Sequence, residues 1–149
     1  MVVLPVEFEI AGARYRAAPL DAFQQFSIAR KLAPILLGLS SIEMAPKVDG
    51  APAPTAERYA KAICAMSSRI PQDDMDASLA IVTASVSRAT GIPQAPWTLL
   101  REPITGKLLF ADLDLMGLLQ ILYFVLKANR LTDFFVAPPA TSGDPTPAA

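Results

Sequence analysis

The stretch VEFEIAGARYRA, from Val6 to Ala17, constrains the fold more tightly than any other part of the chain. Val6, Phe8 and Ile10 alternate with Glu7 and Glu9, and after Ala11-Gly12 the alternation resumes with Tyr15 between Arg14 and Arg16. Period-two patterning marks half-buried strands, and a glycine at the centre supplies the positive φ of a two-residue hairpin turn. That turn fixes the register: Ile10 faces Ala13, Glu9 faces Arg14, Phe8 faces Tyr15 and Glu7 faces Arg16. One face collects apolar groups and an aromatic pair, the other two opposite-charge pairs, each worth about 0.2–1 kcal/mol. A one-residue slip would undo both sets together. Because each arginine has a glutamate opposite, a solvated charged face is the better reading than an anion site.

A helix follows. Asp21 caps it, with Gln24 at the third helical position to complete a capping box. Phe23, Phe26, Ala29, Ala33 and Leu36 form one apolar row, and Ile28, Leu32, Ile35 and Leu39 an adjacent one. Pro34 removes a hydrogen bond to the carbonyl of Arg30 and predicts a kink, with Gly38 or the serines after it as the stop. The two rows face either two different neighbours or a single core, and the pattern alone does not choose.

MAPKVDGAPAPT (Met44–Thr55) has the composition of a linker, taken as 45–54. Thr55 caps a helix reaching about Ser68, and Pro71 breaks the chain. QDDMDASLAIVTASVSRATG then predicts a helix with Asp73 as cap, running to Gly91 with Leu79, Val82 and Val86 as its stripe, joined by Ile81 and Ala89. Asp73, Asp74 and Asp76 are first-turn acids that suit a helix N-terminus better than a metal. APWTLLREPITGKLLF suggests a second small hairpin or an ordered loop. Its TGK resembles the end of a phosphate loop, but the preceding glycine is missing and Leu108 stands where a Ser or Thr would hold magnesium. Asp112 or Asp114 begins the last helix, LMGLLQILYFVLKANR, which is apolar on most sides and reads as either the buried centre of the fold or a protein-binding surface. The fold class is therefore α+β: a mainly helical domain of about four helices over 1–136, with an N-terminal hairpin at 6–17. A proline-rich tail over 137–149 has no periodicity and is expected to be disordered.

Composition narrows the function. Of the 149 residues 52% are hydrophobic and the mean hydropathy is +0.37, an excess that must go to a dry core, a membrane or a partner. The longest apolar run, Leu113–Leu126, is shorter than the roughly 20 residues of a spanning helix and is interrupted by Asp114, Gly117 and Gln120, so no membrane role is expected. Net charge is −1 with no visible cluster of Lys and Arg, which argues against nucleic acid. There is no histidine and a single cysteine, Cys64, which leaves no intrachain disulfide, no zinc site of the usual kind and no Ser-His-Asp or Cys-His mechanism. Cys64 itself reads as a small buried thiol. Neither enzyme activity nor a cofactor is expected.

The same residues resemble a family. FEIAGARYRAAPLDAFQQFSIARKLAPILLGL is similar to the opening of the bacteriophage tail assembly chaperones of long-tailed phages and prophages of Gram-negative bacteria. The likeness continues through MSSRIPQDDMDASLAIVTASVSR and GKLLFADLDLMGLLQILYFVLKANRLTDFF. The resemblance implies a non-catalytic protein that binds the tape measure protein and keeps it soluble while tail tube protein polymerises around it. It implies action in the host bacterial cytoplasm and absence from the mature virion. A homo-oligomer is also expected. The candidate contact residues are Phe23, Phe26 and Leu36 on the first helix and Leu115, Leu118, Leu119, Leu122, Phe124 and Val125 on the last. The competing class is a structural tail or neck protein that stays in the virion.

Overall fold

The computed structural model describes residues 5–44, 50, 55–94 and 96–132, and within them five helices and four strands. The 45–54 linker, apart from Gly50, and the 137–149 tail lie outside the described residues.

β1 (Val6–Ile10) and β2 (Ala13–Ala17) pair antiparallel in the register that the alternation dictates, Glu7 opposite Arg16 and Phe8 opposite Tyr15. The turn has φ of 50° at Ala11 and 81° at Gly12, both left-handed, as a type I′ hairpin requires. The hairpin does not stand alone. β3 (Val86–Ala89) pairs with β2, and β4 (Trp97–Leu99) with β3, giving a four-stranded antiparallel sheet in the order β1-β2-β3-β4.

The helices differ from the sequence reading at three places. The first is Pro34. Rather than bending one helix, it separates α1 (Ala22–Lys31) from α2 (Ala33–Met44), with Leu32 between them. Asp21 and Gln24 form the expected capping box at the start of α1. Secondly, α2 runs on through Gly38. A Cβ there would fall on Met66 Sδ and 2.8 Å from its Cε, so the glycine serves the close approach of α2 to α3 (Ala56–Ser67) rather than a helix end. Thirdly, α4 (Gln72–Ala84) starts after Pro71 instead of at an Asp73 cap, and stops well short of Gly91. Ser85 Oγ donates to the Val82 carbonyl at 2.7 Å, and the Ser85 carbonyl accepts from Ala18 N at 2.8 Å, which leads the chain into the sheet. Val86 and Ala89, expected on the helix stripe, are strand residues; Val86 is fully buried beneath the sheet. A β-branched residue packs well on a pleated surface, and here tertiary pairing decides.

α5 (Leu115–Ala128) begins at Asp114, whose Oδ1 accepts from Gly117 N at 2.8 Å. It is the centre of the fold, packed against β1, α3 and α4. Phe8 stacks on Phe124 with ring centroids 4.8 Å apart, and Tyr59 of α3 stacks on Tyr123 at 4.4 Å. Ile28, Leu32, Ile35 and Leu39 are fully buried, so the second apolar row of the first helical stretch faces this core. Asn129, at the end of α5, accepts from Leu20 N at 3.0 Å and donates to the Val125 carbonyl at 2.9 Å, which clamps the entry to α1. Ser40 Oγ lies 2.8 Å from the Thr132 carbonyl and holds α2 to the same end. Cys64 is exposed rather than buried: α3 turns Tyr59, Ala60 and Ile63 inward, and the next residue falls outside that face. The expected second hairpin closes within Leu100–Leu109, where Arg101 bridges Leu108 and Glu102 N donates to the Lys107 carbonyl at 2.9 Å, while its first apolar run joins the main sheet as β4.

Candidate protein-interaction surface

The nine candidate contact residues separate by burial. Leu36, Leu119, Leu122 and Val125 are core residues. Leu118 and Phe124 are half-buried, Phe124 between Phe8 and Tyr123. Phe23, Phe26 and Leu115 are 87%, 66% and 63% exposed.

Phe23 and Phe26 share one face of α1 with Arg30, opposite the buried Ile28, as spacings of three and four residues dictate. The capping box fixes the start of that helix and the Leu20–Asn129 bond places it at the C-terminal end of α5. Leu115 sits at the other end of α5, whose 14 residues span roughly 20 Å. The structure thus brings Phe23 and Phe26 together and keeps Leu115 apart from them.

Sequence reading missed a third apolar exposure. Ile104 is 93% exposed at the tip of the Leu100–Leu109 turn, with Leu99, Leu108 and Leu109 exposed around it. The tip is held tightly: the Glu102 carboxylate accepts from the backbone N–H groups of Ile104 and Thr105, and Arg101 Nε donates to the Gly106 carbonyl at 3.0 Å. A hydrogen bond with the Thr105 side chain, followed by those backbone bonds, lowers the Glu102 carboxyl pKa. An isoleucine between proline and Thr-Gly is the signal that was available, since such a turn cannot bury its tip.

Charged groups near the core serve packing. Arg88 donates to Asp112 Oδ1 at 2.9 Å and lies over the Phe110 ring at 4.7 Å. The hydrogen bond to Arg88 lowers the Asp112 pKa, and burial raises that of Tyr15. Among the described residues no group of three or more His, Cys, Asp or Glu could hold a metal ion, and no helix is long and apolar enough to cross a membrane.

A family model described as phage tail assembly chaperone protein, TAC, matches residues 11–143. The chain belongs to the phage tail assembly chaperone family. The match begins at the β1–β2 turn and takes in every helix, so all nine candidate residues fall inside it. No curated protein and no solved structure matches. A tail assembly chaperone works through contacts with tail proteins, which calls for accessible surfaces. In this chaperone α1, the start of α5 and the Leu100–Leu109 turn supply such apolar surfaces.

Proposed function

We propose that this chaperone binds the tape measure protein in the host cytoplasm, holds it soluble until the tail tube forms around it, and is absent from the finished virion. The observation that carries the reading is the pair Phe23 and Phe26, left largely in water on a well-capped helix. Burying one such side chain is worth about 1.5–3 kcal/mol. An exposed apolar face on a rigid helix suits a long helical client, because helix-in-groove binding reads spacing and apolarity rather than one sequence. Phe23 and Phe26 are the primary contacts in this reading and Leu115 a separate one, whereas Leu36, Leu119, Leu122 and Val125 support them from the core. A homo-oligomer would array several such faces along one client.

Co-expression with the tape measure protein tests this. The wild type should keep the client in the soluble fraction. The double variant Phe23→Asp/Phe26→Asp should remain folded by circular dichroism and lose the client, while Leu122→Asp should unfold. A double variant that solubilises the client as well as the wild type does would remove α1 from the binding surface. Stoichiometric amounts of the protein in purified virions, measured by mass spectrometry, would replace the chaperone reading with that of a structural tail or neck protein.

A further inference from the structure

The sheet has a face that no helix among the described residues covers. Reading across it in register, one row runs Glu9, Arg14, Ala89, Trp97 and the next Glu7, Arg16, Ser87, Leu99. All eight side chains are exposed or half-exposed. Because β3 offers only Ser87 and Ala89 here, the two arginines of β2 reach across it to β4. The Arg16 guanidinium rests 4.6 Å from the centre of the Trp97 ring and that of Arg14 5.8 Å from it. Arg14 also holds Glu7 at 3.3 Å, whereas Arg16 makes no ion pair among the described residues. Beyond Leu99, which is 40% exposed, the apolar surface continues to Ile104. Leu99, Arg101, Ile104 and Ala84 there line an open concavity of about 460 Å³.

We propose that this face is a second binding surface of the chaperone, and that it takes an apolar segment of a protein partner bearing acidic side chains. The identity of the partner as the tape measure client rests on the function proposed above. The argument for an acid is charge complementarity. Arg16 is already positioned by the Trp97 ring, and a carboxylate arriving there gains a charge-assisted hydrogen bond without first ordering the guanidinium. The argument for apolar neighbours is Ile104. The bonds that fix its turn have already met the ordering cost of presenting it, and tryptophan, arginine and a rigid apolar anchor are the groups that dominate protein interfaces. A nucleic acid fits less well, since a phosphate chain needs several cations in succession, and on this face Arg14 is already paired with Glu7.

Trp97 is the only tryptophan, so its fluorescence reports directly on this surface. The probes are two synthetic amphipathic helical peptides with the same leucine pattern, one carrying glutamates and the other lysines. The glutamate peptide should shift Trp97 emission, more weakly at high salt, and bind about tenfold tighter than the lysine peptide. Arg16→Glu should abolish or reverse that preference. Ile104→Asp, at a position that contributes nothing to the core, should weaken both peptides. Equal binding of the two peptides, or none, overturns the proposal. So does an oligothymidine that quenches Trp97 more tightly than the glutamate peptide does, or a concentration-dependent emission shift of the wild type alone, which would make a second copy the occupant. Co-expression with the tape measure protein separates the two readings. If Arg16→Glu and Ile104→Asp keep the client soluble while the Phe23/Phe26 variant loses it, this surface is not used and the chaperone reading stands. If the wild type itself fails to solubilise the client, the proposed function falls and the peptide result is judged alone.

Discussion

Replacing Gly38 by alanine sets two opposed effects of known size against each other. In a helix interior alanine is more favourable than glycine by about 1 kcal/mol. At this position, however, the new Cβ would fall on Met66 Sδ and 2.8 Å from Cε, closer than side chains pack. Met66 is partly buried against the core, so it must leave its present rotamer and disturb its neighbours. Forced repacking of this kind costs about 1–3 kcal/mol. The repacking cost outweighs the helix gain, and Gly38→Ala should destabilise the protein by up to about 2 kcal/mol. In a Met66→Ala background the obstacle is gone, and the same substitution should stabilise by about 1 kcal/mol. The sign therefore reverses between backgrounds, which a double-mutant cycle in urea detects as a coupling energy of about 1–3 kcal/mol. Additive single effects would refute the reasoning, as would a stabilising Gly38→Ala in the wild type. Either result would mean that the flexible end of Met66 swings away at no cost, and that α2 and α3 owe nothing to the glycine for their close approach.

Two further substitutions probe the sheet. Ala11 is a non-glycine residue at φ 50°, and asparagine tolerates that region better, so Ala11→Asn should raise stability by about 1 kcal/mol and the melting temperature with it. An unchanged melting temperature would mean that the turn is not type I′ in solution. Asp112→Asn removes the partner of Arg88. Because the hydrogen bond to Arg88 depresses the Asp112 pKa, its stabilisation is present above the unfolded carboxyl pKa of about 4 and fades as pH falls below it. The wild type should thus be more stable than Asp112→Asn at neutral pH, with the difference shrinking in acid; urea titrations across that range check it, and a difference independent of pH would exclude the ion pair as its source.

How far the sequence specifies this fold depends on how local each decision is. The β1–β2 register was legible because every strand position argued for the same pairing around one glycine. Its charge partners were less so. Arg14 reaches diagonally to Glu7 instead of straight across to Glu9, and Arg16 turns to Trp97, 81 positions further along the chain. The caps at Asp21 and Thr55 are contained within single turns and were readable, while for α5 the sequence offered Asp112 or Asp114 and the structure uses Asp114. The end of α4 was not. Val82 and Val86 fit a helical stripe, while the bond from Ala18 N to the Ser85 carbonyl, which ends the helix in favour of the sheet, belongs to tertiary structure. The candidate surface divides in the same way. Apolarity on most sides of α5 follows from its sequence, but only the arrival of the sheet, α3 and α4 determines that Leu119, Leu122 and Val125 lie inside while Leu115 remains in water.

The apolar excess of this chain is therefore resolved in two ways. Most of it goes into a core built around α5, whose sides are covered by three different elements. The remainder is dispersed: Phe23 and Phe26 lie on α1, Leu37 on α2, Leu115 at the far end of α5, and Ile92 and Ile104 in separate loops. Large continuous apolar patches invite self-association, whereas smaller separated ones are tolerated on a monomer. A client long enough to touch several of them still gains from each, because once one contact is made the others become intramolecular. Rigidity contributes as well. The capping box and the Asn129 clamp hold α1, and a ring of hydrogen bonds holds the Ile104 turn, so little ordering remains to oppose binding. On the proposed function, dispersed, pre-ordered anchors would engage a hydrophobic client without the single large patch that invites aggregation.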